Sequence, residues 1–504
     1  MEQGRTAVAA SGTAAPAARD YRVVVRVLTF ATFVVVLNET IMVNAIPLLM
    51  DVLAVSARAA QWLSTAFMLT MAVVIPVSGW FLQRVGTRNA FVAAMATFSL
   101  GTTLSGLAPT FEVLLAGRVV QAAGTAVMLP LLMTTLLSLV PEGERGRVMG
   151  NVTLAISVAP ALGPAVSGLI LQAASWRWLF GLVLPVALLV SLWGTRLLTG
   201  REYQQTRPGR LDLLSVALTA VGFGALVYGL SQLGGEAAEG PVPPVAALVV
   251  GLVGVALFAL RQRALQRGTG PLLDLRVLGV RTYLVGMTLM SLSFMSLMGA
   301  MILLPIFLQQ VRDLSALQTG MLLMPGGLAM GLLGPTVGRL YDRLGARVLV
   351  VPGALGVLAA LTLIAVAATA APWWAFLGLH VLVSVSLAFV FTPVFTSSLS
   401  ALPSHLYPHG SALLGTVQQV AAAAGTALVV AVMAARAVAV EQSGTASAAP
   451  LADGARWGFA VTAVLAAVVL GLALLLPRRA PAAGPQDAAP PAAPEPEAAL
   501  PVVE

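Results

Sequence analysis

Long apolar runs separated by short polar breaks set the first expectation for this chain. A membrane-crossing helix needs ~20 mostly apolar residues. Runs that qualify cover 24–47, 60–82, 89–108, 111–139, 148–172 and 176–198, followed after a polar stretch by 213–233 and 243–260. A second block gives 283–310, 317–340, 348–370, 373–399, 413–438 and 457–476. Each run is bounded by Pro, Gly or charged residues. The pattern predicts an all-α polytopic membrane protein with fourteen transmembrane helices.

Composition agrees. Of 504 residues 58% are apolar and 10% charged, where a soluble chain would carry about 25% charged residues. The net charge of +8 suggests nucleic acid only until the basic residues are located. All are arginines, and nearly all sit between apolar runs or near their ends, so membrane topology accounts for them, and the expected surroundings are lipid bilayer without nucleic acid. There is no cysteine, which excludes disulfides and thiol chemistry. His380, His405 and His409 have no metal-ligand spacing, and no Walker-type phosphate loop occurs. No metal, cofactor, nucleotide or enzymatic chemistry is therefore expected. The first 20 residues are polar and Ala-rich, and the span after them lacks a small-residue cleavage site, which reads as an uncleaved first span.

An even number of spans returns both termini to one side, and the arginines select it. Arg19, Arg22, Arg26, Arg84, Arg88, Arg145, Arg147, Arg196, Arg201, Arg207, Arg210, the cluster between 261 and 281, Arg339, Arg343, Arg347, Arg478 and Arg479 share one side. Only Arg58, Arg177, Arg312, Arg436 and Arg456 fall on the other. Both termini are expected in the cytoplasm of a bacterial cell, with the chain in its cytoplasmic membrane as a monomer. The segment after Arg479, rich in Ala, Pro and Glu, is expected to be disordered.

A repeat divides the chain. Gly79-Trp80-Phe81-Leu82-Gln83-Arg84-Val85-Gly86-Thr87-Arg88 follows the second span, and Gly338-Arg339-Leu340-Tyr341-Asp342-Arg343-Leu344-Gly345-Ala346-Arg347 follows the tenth. Gly, Arg, Gly and Arg recur at identical spacing. Setting the seventh and eighth spans aside leaves six plus six, a transporter architecture with the substrate site between the halves at mid-membrane. The expected organisation is an N-terminal tail (1–22), a first six-helix half (23–198), a linker with two extra helices (199–282), a second half (283–477) and a tail (478–504).

Two opposite charges stand out at bilayer depth. Glu39 lies about eight residues from the outer end of the first span, and Arg118 about as far into the fourth, each roughly 12 Å inward. A charge at that depth costs at least ~2.5–3.5 kcal/mol and marks a functional, usually paired, residue. A carboxyl in low dielectric favours its neutral form while a nearby guanidinium favours the carboxylate, so such a pair can carry a proton.

These features resemble the major facilitator superfamily, and within it the fourteen-span drug:proton antiporters, from about residue 22 to 477. The repeated loop is similar to the family's G-x-L-x-D-R-x-G-R-R signature. Gly79, Arg84, Gly86 and Arg88 match in the first copy, where Gln83 replaces the acid. Gly338, Asp342, Arg343, Gly345 and Arg347 match in the second. The fourth span's Arg118-Val119-Val120-Gln121-Ala122-Ala123-Gly124 resembles R-x-x-Q-G-x-G. The fifth span's Gly163, Pro164 and Gly168 resemble the segment associated with exporters. The family's acid in the first span would fall at position 38, where this chain has Asn38, with Glu39 about 100° further round the helix. Whether Glu39 still faces the central cavity is an open question at this level.

The resemblance implies a proton-coupled antiporter that exports hydrophobic, often cationic drugs by alternating access. An exporter of lipids or of an endogenous metabolite, such as a self-made antibiotic, is an alternative, and a proton-symport importer a weaker one. Glu39 and Arg118 would couple protons, and the two loops would act as conformational switches. Asn38, Met42, Gln121, Phe294, Gln309 and Gln418 are candidates to line the substrate cavity, with Phe67, Met128, Met295 and Phe307 as apolar neighbours.

Overall fold

The computed structural model describes residues 20–43, 45–198, 211–233, 242–267, 270–368, 371–442 and 450–477. The expected tails, up to Arg19 and from 478 on, and the linker arginines Arg201, Arg207 and Arg210 lie outside the described residues.

The helices in order are α1 (Asp20–Val43), a short α2 (Ile46–Val52), α3 (Ala57–Gly106), α4 (Phe111–Leu139), α5 (Arg145–Ala173), α6 (Trp178–Leu197), α7 (Leu213–Leu233) and α8 (Pro244–Leu265). The second block holds α9 (Arg281–Gln310), α10 (Ala316–Leu344), α11 (Ala346–Ala367), α12 (Trp373–Ser400), α13 (Tyr407–Gln442) and α14 (Pro450–Ala473). Among the described residues, 13 helices are long and apolar enough to cross a membrane. One of them, α3, has 50 residues and contains both the second and third expected spans. The polar loop expected between these spans is reduced to one residue, Gly86, whose φ of 78° interrupts the helical path. That left-handed φ is open to glycine at no steric cost, so one residue suffices where a loop was expected.

The second copy of the motif has the same backbone. Gly345 has φ 80° and separates α10 from α11 as Gly86 separates the two parts of α3. A single chain separation also relates Phe111 to Trp373 at the starts of α4 and α12, Pro141 to Pro403 before the short 3-10 turns, and Arg145 to Tyr407 at the starts of α5 and α13. The repeat thus extends well beyond the loops in which the sequence displays it.

In the first half α3 packs on α4 and α6, and α1 on α4, α5 and α6. In the second, α9 packs on α12, α13 and α14, and α11 on α12 and α14. The halves meet chiefly along α5–α10 and α3–α13, while the α7–α8 pair lies against α3 and α13. That pair is fastened at its arginine-rich end. Arg261 donates Nε and Nη2 to Asp212 at 3.0 and 3.1 Å, and Gln262 Nε2 donates to Ser215 Oγ at 2.7 Å.

Helix α13 begins before the apolar run that predicts it. The turn Tyr407-Pro408-His409-Gly410-Ser411 is polar enough to escape a hydropathy reading, yet it is buried. Tyr283 Oη donates to the Gly410 carbonyl at 2.7 Å, and Ser411 Oγ lies 3.2 Å from Thr134 Oγ1 across the halves.

Candidate functional site

Arg118 occupies the first third of α4, where the backbones of α3 and α4 nearly touch. A Cβ on Gly101 would lie 2.7 Å from the Gly117 carbonyl oxygen, and one on Gly117 would lie 2.8 Å from the Ser105 nitrogen. Small residues at these positions bring the helices close enough for side chains to bridge them. The Arg118 side chain is 1% exposed. Its Nη1 donates to Gln121 Oε1 at 2.6 Å, Gln121 Nε2 donates to Thr102 Oγ1 at 2.8 Å, and Thr102 Oγ1 donates to the Phe98 carbonyl at 2.7 Å. The guanidinium carbon lies 4.2 Å from the centroid of the Phe67 ring, a cation–π distance. Arg118 Nε has no hydrogen-bond partner.

Glu39 is half-buried and lies within electrostatic reach of Arg118. Among the described residues it makes neither a hydrogen bond nor a direct ion pair. Its neighbour Asn38 is sealed at 2% exposure, with Nδ2 unpartnered. Thr40, on a third side of α1, donates Oγ1 to the Leu37 carbonyl at 2.9 Å and rests against Gly163 of α5. Consecutive residues are about 100° apart on a helix. Of these three neighbours Asn38 is sealed, Thr40 is pressed against α5, and Glu39 is the one that senses Arg118 electrostatically.

The cavity candidates divide. Phe294 is half-buried and packs 6.0 Å from Phe391, centroid to centroid. Met42, Phe67, Met128 and Phe307 are buried core side chains, as are the amides of Gln121 and Gln418. Gln121 is committed to Arg118 and Thr102 and positions the guanidinium. Gln309 is exposed in the last turn of α9, whereas the amides of Gln121 and Gln418 are buried. Distance along a helix gives depth, but depth says nothing of which face a residue occupies.

The repeated loops meet the opposite half in equivalent ways. Gly146 and Arg147 donate their backbone N–H groups to Asp342 Oδ1 and Oδ2, both at 2.8 Å, so Asp342 of the second half caps the start of α5 in the first. The first copy has Gln83 at the matching place, and its Nε2 donates to the His405 carbonyl at 3.1 Å, just before α13. A Cβ on Gly338 would collide with the Gly146 carbonyl, and one on Gly79 would lie 3.0 Å from the Pro408 carbonyl oxygen. Arg88 Nε donates to the Thr195 carbonyl at 3.5 Å, within its own half. Arg84 and Arg343 are exposed, without hydrogen bonds among the described residues, and Arg347 is half-buried.

Sequence reasoning picked out Gly338 but missed Gly146, Gly150 and Gly334, which with it make the α5–α10 seam. Gly146 and Gly150 of α5 face Gly338 and Gly334 of α10 backbone to backbone. Their four-residue spacing on both helices is the small-xxx-small pattern of membrane helix contacts and was the available signal. In the exporter-type segment, Gly163 is pressed against Thr40, whereas a Cβ on Gly168 would meet open space. Tight packing is thus confined to the first of these glycines. Pro164 lies within α5.

The repeat also gives Arg118 a counterpart. The separation that maps α4 onto α12 places His380 where Arg118 stands, and its ring lies against Gly326 of α10. At the position matching Arg118 the second half thus has an imidazole in place of a guanidinium.

The geometry has its parallels among known proteins. The Major Facilitator Superfamily model matches residues 28–426. The chain is 36% identical over 461 residues to an uncharacterized MFS-type transporter, YcnB, of Bacillus subtilis, covering 91% of this chain and 96% of that one. It is 36% identical over 427 residues to the lincomycin resistance protein LmrB of Bacillus subtilis, covering 84% and 88%. It is 30% identical over 409 residues to the multidrug export protein EmrB of Haemophilus influenzae, covering 80% and 78%. Its fold is similar to that of the human organic anion transporter MFSD10, with a TM-score of 0.64 at 17% identity over 90% of this chain and 99% of that one. Family model, relatives and fold agree: the chain belongs to the major facilitator superfamily.

Proposed function

We propose that the chain exports hydrophobic, often cationic drugs or antibiotics across the bacterial cytoplasmic membrane, in exchange for protons and by alternating access. In this reading the arginine-rich end faces the cytoplasm, the protein acts as a monomer, and Glu39 is the proton carrier. The observation that carries it is the inequality within the Glu39–Arg118 pair. Arg118 is fixed by Gln121, Thr102 and Phe67, while Glu39 is half-exposed and hydrogen-bonded to nothing among the described residues. A fixed cation beside an unrestrained carboxyl favours the ionised acid, and burial favours the neutral one. Movement between inward- and outward-open states changes solvent access, and so tips that balance. The relatives named for lincomycin resistance and multidrug export support drugs as the cargo.

In the mechanism, a proton from outside neutralises Glu39 and weakens its attraction to Arg118 or to a bound cation. The drug leaves outward, the halves rock about α5–α10 and α3–α13, and the proton departs inward. Opening the arginine-rich end requires Asp342 to release the first amides of α5. The test is drug-induced proton movement in everted vesicles. Glu39→Gln should abolish it at normal expression, and unchanged antiport in that variant refutes the assignment. A susceptibility panel in an efflux-deficient host, with and without an uncoupler, separates drug export from export of a lipid or a single metabolite.

A further inference from the structure

One group of arginine side chains lies outside the Glu39–Arg118 site. A groove of about 650 Å3 runs between α1, α5 and α10, lined at its arginine-rich end by Arg22, Arg26 and Arg147 and further along by side chains such as Phe30, Phe33 and Leu332. Phe30 and Leu332 are exposed to the surroundings of the helix bundle, so the groove opens sideways toward lipid. One acid stands nearby on the loop before α5: Glu144 receives Arg22 Nη2 at 3.3 Å and the Tyr21 hydroxyl at 2.9 Å. Arg147 lends its backbone amide to Asp342 and senses that carboxylate, but its side chain makes no hydrogen bond among the described residues. Neither does the exposed side chain of Arg26. Two guanidiniums beside an apolar channel thus make no hydrogen bond or ion pair among the described residues, Arg147 sensing Asp342 only at a distance.

Arg26 lies within α1, about 9 Å along the helix from Asp20. An arginine facing lipid at that depth is stable only if its head reaches the interface or meets an anion. Basic pockets between membrane helices on the cytoplasmic side suit phospholipid headgroups. We propose that this groove is a binding site for one anionic phospholipid of the cytoplasmic leaflet, its phosphate held by Arg26 and Arg147 and an acyl chain lying along Phe30, Phe33 and Leu332. The site rests on the orientation given above. The net positive charge selects a phosphodiester headgroup without an amine over a zwitterionic one. Because Asp342 holds the Arg147 amide, a lipid on its side chain also ties α1 to the α5–α10 seam.

The experiment uses the full-length protein in phosphatidylcholine nanodiscs titrated with dioleoyl-phosphatidylglycerol, with retained lipid counted by native mass spectrometry. Each arginine removed should weaken retention about five-fold, so Arg26→Gln/Arg147→Gln should lose about 25-fold. Arg196→Gln, an exposed arginine at the same end but outside the groove, should retain lipid as the unmodified protein does. Leu332→Trp, which fills the apolar part without touching the charges, should also release the lipid. Equal retention by the double variant, equal loss in Arg196→Gln, or equal retention of phosphatidylcholine overturns the site. Competition by soluble glycerol phosphate as effective as by the lipid would identify a free-phosphate site and overturn it too. Binding is read without transport, so failure here leaves the antiport reading intact, and failure of antiport leaves the lipid count intact.

Discussion

Asp342 binds the start of a helix in the opposite half of the molecule: the Gly146 N–H points at its Oδ1 from 2.8 Å. The Arg147 N–H takes the other oxygen, so both carboxylate oxygens answer amides that an α-helix leaves without partners. Hydrogen bonds to a charged group contribute ~1.5–3 kcal/mol, and the helix dipole adds to them. Asp342→Asn should therefore favour opening of the arginine-rich end by roughly 10-fold. The chain has no cysteine, so Glu142→Cys/Arg343→Cys can carry spin labels directly, and distances between them report the open fraction. An unchanged distribution in Asp342→Asn would show that the cap does not govern opening.

Position 38 is the family's place for an acid, but here it is sealed. Adding Asn38→Asp to Glu39→Gln should consequently fail to restore proton-coupled export, leaving it at least ~10-fold below the unmodified protein, because a carboxylate there is sealed from solvent. Restoration of drug-induced proton movement would mean that α1 rotates during the cycle.

Gln121 is the sole hydrogen-bond acceptor for Arg118 among the described residues. Gln121→Leu leaves a buried charge short of a partner and should cost ~1.5–3 kcal/mol, read as a lower melting temperature in detergent. Arg118→Lys keeps the charge but loses the planar fork, and should impair coupling more than stability.

Two glycines of α5 make opposite forecasts. Gly163→Ala drives a methyl into Thr40 and should cost ~1–3 kcal/mol and reduce export. Gly168→Ala points into open space and should change stability by less than ~0.5 kcal/mol. Melting curves and susceptibility assays on the pair distinguish a packing role from a merely compositional one.

The Asp212 carboxyl is held down at about 2 by its hydrogen bonds from Arg261, assisted by Ser215. An acid whose folded value is depressed stabilises fully above its ordinary value of ~3.9, and that contribution is lost as pH falls through the folded value. Asp212→Asn should accordingly loosen the α7–α8 pair at pH 7, lowering its melting temperature by about 2 °C. The two proteins should converge as pH approaches 2. Hydrogen exchange in α7 measures both.

The sequence by itself determined the spans, because a bilayer demands ~20 apolar residues whatever they pack against. It displayed the repeat in two loops, and put Glu39 and Arg118 at one depth by counting residues. It missed what depends on faces and on approach across the halves. That Asn38 is sealed while Glu39 is only half-buried turns on a 100° rotation that only the packing of α1 against α4, α5 and α6 fixes. Gln309 and Gln121 looked alike as polar residues in apolar helices, yet one ends exposed at a rim and the other bound to an arginine. The α5–α10 seam, and Asp342 capping a helix 195 positions away, required tertiary structure for the same reason. Hydropathy reads the environment of each helix, whereas partners are chosen by the surfaces the helices turn toward one another.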